Sequence, residues 1–473
     1  MFRKAIVKNT LLLTAASLGL RSVSILFQSY LTRVIGAEGI GKLHLAMTAG
    51  AVAMTVGLSG ARVAAMNLTA RYFGRGDMPA MKQAIARCLC YSLFLSLFAG
   101  GMLSLLARPI AGRLLHDPTL SPALILLGLT LAPSCLMAVL GGCYTALGKV
   151  RTLVAVSAAD RLCSIALTML WLNLLPSYDL TAVSCAVIGG GAICSSGAAG
   201  VLLYLLMRDL RSVQAAKGGS CRPFLQLCIP LALSEYLRSG LSAAEHFLIP
   251  RGLRASSESY DYAMACYGTI HGMVFPVLMF PCALITALSD VLVPTLSRMN
   301  AQNDRPGIRA VIRKSIAFGI AFALISAAGE FLLAPWLGQT LYSSALAGHY
   351  LRLFAPLILI LYCDALVDGM LKGLCEQAAN AKINTVTAAL DVLLLLLLLP
   401  RLGIVGYLIS FTVTHTINFA MSLSRLIRVT RSPQPLKRDP LQKSERQIRH
   451  TENRSGAPGH PGRTGADPAA KSA

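Results

Sequence analysis

Charge is scarce in this chain. Only 14% of the 473 residues are Asp, Glu, Lys or Arg, against about 25% in a soluble domain. With 55% hydrophobic residues and a mean hydropathy of +0.62, that scarcity excludes an ordinary soluble globule and predicts an all-α polytopic membrane protein. Acidic residues are scarcer still, 21 against 43 Lys and Arg, for a formal charge of +22. No basic platform interleaved with aromatics accompanies that excess, and the cations stand mostly between apolar segments, so no nucleic-acid partner is expected. There is no C-x-x-C pair; the 13 cysteines fall almost entirely in apolar segments, which excludes a zinc site or disulfide framework and predicts small buried hydrophobes. Paired catalytic carboxylates, a nucleophile motif and a cofactor loop are also missing, so neither catalysis, a cofactor nor a bound metal is expected. The glycine-rich GGGAICSSGAAG at Gly189–Gly200 lacks G-K-[ST] and reads as a surface where helices approach closely.

What is present is organised around Asn9–Arg33, NTLLLTAASLGLRSVSILFQSYLTR. This segment is long enough to cross a bilayer, yet it carries Arg21 near its middle. On a helix, Thr14, Ser17, Arg21, Ser24, Gln28 and Thr32 form one polar stripe. A cation at bilayer depth costs several kcal/mol unless it faces a bundle interior or a hydrated cavity, where it marks a substrate path. The working expectation is a cavity that accepts an anion. The alternative is an Arg21 that snorkels or pairs with a carboxylate as internal glue.

Apolar stretches of about twenty residues give about twelve spans. They lie near 9–33, 43–68, 84–107, 122–147, 152–175, 181–207, 225–250, 263–297, 311–338, 349–373, 380–400 and 402–427. The opening MFRKAIVKNT is a basic flank to a segment too long for a signal-peptide core, so the first span is expected to be retained. Alternate connections are rich in Lys and Arg, as at Arg71 to Arg87, Arg208 to Arg222 and Arg298 to Lys314, which predicts that both termini lie in the cytoplasm.

The longest internal polar connection divides the chain into an N-terminal six-helix lobe at 1–210, a linker at 211–223 and a C-terminal six-helix lobe at 224–430. In span 7, Glu235, Arg238, Ser239, Ser242, Glu245 and His246 share a helical face. The polar stripes of spans 1 and 7 occupy corresponding positions and are expected to line one cavity. Glu235 and Arg238 stand at i,i+3, where an ion pair is expected. Arg62 joins Arg21, Ser24, Gln28, Glu235, Arg238 and Ser242 as substrate-cavity candidates; Asp290, Asp364, Asp368 and Asp391 are candidates for ion coupling. From 431 to 473 the chain is rich in Pro, Gly, Ser and charge, which predicts a disordered basic cytoplasmic tail.

Several stretches resemble the MOP superfamily of multidrug and lipid-linked oligosaccharide exporters, and within it the polysaccharide biosynthesis and stage V sporulation protein B family, related to lipid II flippases. They include LTRVIGAEGIGKLHLA, VGLSGARVAAMNLTARYFGRGD, YGTIHGMVFPVLMFPCALITALSDVLVPTLSRM, FAPLILILYCDALVDGMLKGL and LPRLGIVGYLISF. The resemblance implies two six-helix lobes in a V around a cavity that opens alternately to the two sides. It places Arg21 where lipid II flippases carry a functional arginine, whereas Phe27 and Thr55 stand where those flippases carry two others. The function it implies is movement of a pyrophosphate-linked saccharide precursor of peptidoglycan or another polysaccharide across the bacterial cytoplasmic membrane. The expected partners are the lipid-linked oligosaccharide, the bilayer and cell-wall synthesis enzymes, the chain itself acting as a monomer. A drug/cation antiporter of the same superfamily is the alternative; a membrane scaffold, a third class, would need no buried charge.

Overall fold

The computed structural model describes residues 2–174, 179–211, 213, 222–257, 259–302 and 304–431, with side chains described from Leu18 onward. The side chains of Thr14 and Ser17, most of the linker and the tail beyond 431 lie outside the described residues. We number the helices in chain order. α1 (2–35) and α2 (37–58, continuing as Ala61–Gly74) part at Gly36, whose φ of 72° only glycine adopts readily. α3 is Met78–Leu105, and α4 joins Ser121–Leu129 to Leu131–Ala146 across a 43° bend. α5 is Val150–Leu174, α6 Leu180–Asp209 and α7 Arg222–Ser257. α8 runs as Tyr260–Gly268, a π-helical turn at Thr269–Val274, Phe275–Leu278 and, after a break at Pro281, Cys282–Ala301. α9 is Arg305–Tyr342, and α10 runs from Ala345–Phe354 through a short turn into Ile358–Gly373. α11 (377–402) and α12 (404–431) part at Gly403, φ 55°.

Helix starts carry their own stop and start chemistry. Asp77, Asp304 and Ser344 accept hydrogen bonds from the amides three residues on, at Ala80, Gly307 and Ala347. Among the described residues, eight helical stretches, two of them broken at Gly36 and Gly403, are long and apolar enough to cross a membrane, and the bent α4 pair makes a ninth. α7 is long enough at 36 residues, but its polar face lowers its hydropathy. The chain is a polytopic all-helical membrane protein.

The apolar surface confirms the solvent. Phe94, Leu97, Phe98 and Leu105 on α3 and Ile325, Leu332 and Trp336 on α9 are more than half exposed, an arrangement that only lipid rewards. Inside, small residues set helix distances. Gly189 and Gly190 of α6 lie against Trp171 and Thr168 of α5, as the glycine-rich stretch predicts.

Candidate functional site

Two cavities hold several, not all, of the charges that the sequence places at bilayer depth. The larger, about 650 Å³, lies in the seam between α2 and α7. From α2 it takes His44, Thr48, Thr55 and Arg62; from α7, Glu235, Arg238, Ser239, Ser242 and His246. Hydrogen bonds close the seam beside it, from Thr55 Oγ1 to Ser239 Oγ at 3.1 Å and between Ser59 and Tyr236. Gly60 lets α2 turn there: its φ is 75°, and a Cβ would stand 3.0 Å from the Cys228 carbonyl oxygen. The wall therefore combines two guanidiniums, several hydroxyls, two imidazoles and one carboxylate. Glu235 and Arg238 both face the cavity, but no ion pair within 4.0 Å joins them among the described residues, contrary to their i,i+3 spacing. Both groups remain open to a ligand.

Among the described residues, α1 contributes nothing to the opposite wall. The expectation that the stripes of spans 1 and 7 line one cavity is corrected, because α2 faces α7 while α1 packs elsewhere. Arg21 Nη1 donates to the Met279 carbonyl at 3.1 Å, one residue past Phe275–Leu278 where α8 breaks. The guanidinium thus serves a carbonyl left free by the break. Ser24 Oγ accepts from Arg161 Nε at 3.2 Å. Gln28 stands over Gly272, its Nε2 3.4 Å from where a Cβ would be. None of the three borders either cavity.

The second cavity, about 230 Å³, is acidic. Asp364 and Asp368 of α10 and Asp391 of α11 converge in it with Asn384, Thr387, Thr414, His415 and Asn418. Ser410 and Thr414 donate to Asp391 Oδ1 at 2.9 and 3.1 Å. Asn418 Nδ2 donates to Asp364 Oδ2 at 2.9 Å, and Thr387 Oγ1 donates to Asn418 Oδ1 at 3.1 Å. The buried Oδ1 atoms of Asp364 and Asp368 have no partner. Asp290 does not join them: it is exposed on α8, with Lys372 as its electrostatic neighbour. In its place stands Glu245. The single polar face of α7 is thus divided, Glu235, Arg238, Ser239, Ser242 and His246 turning to the first cavity and Glu245 to the second.

Between the cavities lies a cluster that the sequence reading missed. His44 of α2, His246 of α7 and His271 of α8 have ring centroids 4.9 to 5.8 Å apart, and Tyr267 touches all three. The signal was available: Gly41-Lys42-Leu43-His44 and Gly268-Thr269-Ile270-His271 repeat a G-x-x-H pattern.

The profile of the family described as polysaccharide biosynthesis protein matches residues 6–300. The chain belongs to that family. It is 23% identical over 450 residues to the stage V sporulation protein B of Bacillus subtilis (strain 168), covering 91% of this chain and 86% of the relative. Its fold is that of the MOP superfamily. An inward-facing multidrug resistance MATE family transporter superposes with a TM-score of 0.69 at 14% identity, over 88% of this chain and 96% of its own. The outward-facing conformation of such a transporter gives 0.62 at 15% identity, over 90% and 96%. A MOP superfamily transporter from Pyrococcus furiosus, whose binding pocket is described as having reverse polarity, gives 0.64 at 14%, over 91% and 97%.

Proposed function

We propose that this chain is an alternating-access transporter that moves a pyrophosphate-linked saccharide precursor across the bacterial cytoplasmic membrane, with both termini in the cytoplasm. The observation that carries the reading is the pairing of Arg62 and Arg238 on opposite walls of one cavity at bilayer depth. A pyrophosphate cannot enter a low-dielectric bilayer without cationic partners, and guanidinium offers it a bidentate one. The hydroxyls of Ser239 and Ser242 supply the neutral donors that sugars require. At about 650 Å³ the cavity falls in the usual range for small ligands, roughly 300–1,000 Å³. It suits a headgroup, and the isoprenoid chain stays in lipid, where its transfer costs nothing.

The acidic cavity carries the coupling charge in this reading. Asp364, Asp368 and Asp391 are held together among hydroxyl and amide groups, and two of their buried oxygens lack partners. A bound cation or proton relieves that cost. The two halves, 1–210 and 224–430, rock about the α2–α7 and α1–α8 seams. The experiment is a reconstituted-vesicle assay of headgroup translocation with candidate lipid-linked sugars. Wild type should flip at least one of them; failure with every pyrophosphate-linked sugar, alongside export of an organic cation, would replace this reading with that of a drug antiporter.

A further inference from the structure

The histidine cluster sits where the two halves of the chain touch. α2 and α8 cross at Gly41 and Gly268, so closely that a Cβ on Gly41 would meet the Met264 carbonyl oxygen at 2.5 Å and the Gly268 amide nitrogen at 3.1 Å. One turn beyond each glycine comes the histidine of the repeated motif, which puts His44 and His271 face to face across the contact at 5.8 Å. His246 of α7 completes the group at 5.5 and 4.9 Å from them. His271 lies in the π-helical turn Thr269–Val274, a distortion that tends to mark functional positions.

The hydrogen bonding has one proton too few for two acceptors. Tyr267 Oη lies 3.1 Å from His44 Nδ1 and 3.1 Å from His246 Nδ1. The tyrosine hydroxyl can donate to only one of these nitrogens, so the other must carry hydrogen and donate to the tyrosine oxygen. With neutral rings the network closes: one imidazole is the Nδ1–H tautomer and its partner the Nε2–H tautomer. A proton added to the accepting Nδ1 turns that ring into a second donor. The tyrosine oxygen then accepts twice, its own hydrogen must turn away, and a positive ring stands within about 5–6 Å of two other imidazoles. The groups facing the rings are Tyr267 and Phe275 of α8 and Tyr407 of α12, whose hydroxyl lies 3.4 Å from His271 Nε2. Thr48 of α2 reaches Tyr267. Glu245 of α7 and Asp391 of α11 are within electrostatic reach of Tyr407, and Glu245 of Tyr267 as well. The three imidazoles do not converge at metal-ligand spacing, and no metal-competent cluster occurs among the described residues.

We propose that His44, His246 and His271 form a proton-binding site of the transport cycle. While the rings are neutral, the Tyr267 bridge and the Gly41–Gly268 contact hold the halves together at this end of the cavity. Uptake of a proton rearranges the bridge and places a positive ring in the buried seam, which favours the state in which α2 has separated from α7 and α8 and the ring is hydrated. Two of the three rings, His44 and His246, border the large cavity, so the site and the substrate path share a wall. The inference rests on the alternating-access reading above, but it is independent of the identity of the substrate.

The test follows the separation directly. In the full-length protein in lipid vesicles, nitroxides introduced as orthogonal amino acids at positions 108 and 401, exposed at the ends of α3 and α11, report the distance between the halves by pulsed electron resonance. In wild type the distance distribution should shift between pH 8 and pH 5. The H44Q/H271Q double variant should show one distribution at both pH values. Tyr267→Phe, which preserves packing, should move the midpoint of the titration and so serves if the double variant is poorly folded. A wild-type distribution that ignores pH, a shift that survives in H44Q/H271Q, or an unmoved midpoint in Tyr267→Phe would overturn the proposal. Because no substrate is present, a negative result in the sugar-flipping assay leaves this one readable.

Discussion

Gly41 and Gly268 meet backbone to backbone where α2 crosses α8. A Cβ on Gly268 would run into the Ala37 carbonyl oxygen and stand 2.6 Å from the Gly41 amide nitrogen. Backbone is the one neighbour that cannot turn aside, so this contact fixes the distance between the halves of the protein. Gly268→Ala should lower the melting temperature and the yield of folded protein, with a cost of about 1–3 kcal/mol typical of overpacking. Gly19→Ala in α1, where a Cβ meets nothing within 4 Å, should leave both unchanged. Equal effects of the two substitutions would show that the crossing is looser than its geometry indicates.

Arg238 and Arg21 should separate in their effects. Arg238 faces the large cavity, whereas Arg21 donates to the Met279 carbonyl. Arg238→Ala should abolish headgroup flipping with little change in melting temperature, and Arg238→Lys should keep part of the activity because the charge remains while the planar fork is lost. Arg21→Ala should instead lower stability modestly, by about 0.5–1.5 kcal/mol, the net worth of one partly exposed hydrogen bond. Wild-type flipping by Arg238→Ala would remove the anion-clamp reading.

Asp391 holds its place through Ser410 and Thr414, and asparagine keeps an acceptor for both. Asp391→Asn should therefore fold normally yet uncouple transport, so that flipping no longer accelerates when an ion gradient is imposed on the vesicles. Persistence of that acceleration would place coupling elsewhere.

Asp117, in the connection between α3 and α4, gives a stability effect with a definite sign. Burial alone would raise its carboxyl, but hydrogen bonds from Lys42 and Thr119 outweigh burial and hold it below its ordinary value. A depressed carboxyl stabilises the fold above its unfolded pKa, about 3.9, and loses that contribution as pH falls through the folded value. The melting temperature of wild type should fall below about pH 4 more steeply than that of Asp117→Asn, which should start lower at pH 7. Parallel curves would mean that the Lys42 contact contributes nothing.

Topology can be checked with exposed turns. Arg401→Cys, between α11 and α12, should react with an impermeant thiol reagent added outside intact cells, and Arg75→Cys, after α2, should not. The reverse pattern would invert the orientation proposed from the loop charges.

Much of the architecture was legible before any coordinates. Apolar length follows from bilayer thickness, so α5 and α6 could be read nearly to their ends, while α3 and α9 begin six residues before the spans read at 84 and 311, where polar residues interrupt the apolar run. Gly36, which allows α1 to turn into α2, falls between the spans read from the sequence, whereas Gly403, where α11 turns into α12, lies just inside the span read as 402–427; only a residue without Cβ turns cheaply at either point. Charged residues at bilayer depth also announced themselves, because each is expensive. Arg62, Glu235, Arg238, Asp364, Asp368 and Asp391 all border a cavity.

That these charges must be sheltered follows from their residue types and their place in apolar segments; which helix shelters which follows from the packing. Helical periodicity puts Glu235, Arg238, Ser242 and Glu245 on one face, but a face of α7 about 100° wide meets two neighbours, and Glu245 turns to α10, α11 and α12 while the rest turn to α2. Arg21 looked equivalent to Arg238 because the polar stripes of spans 1 and 7 occupy corresponding positions. A break in α8 offers a free carbonyl to one of them and none to the other. The histidines were hidden for a further reason. His44, His246 and His271 are separated by up to 227 positions, and the repeated G-x-x-H spacing marks two of them without recording that the glycines of distant helices let their backbones touch.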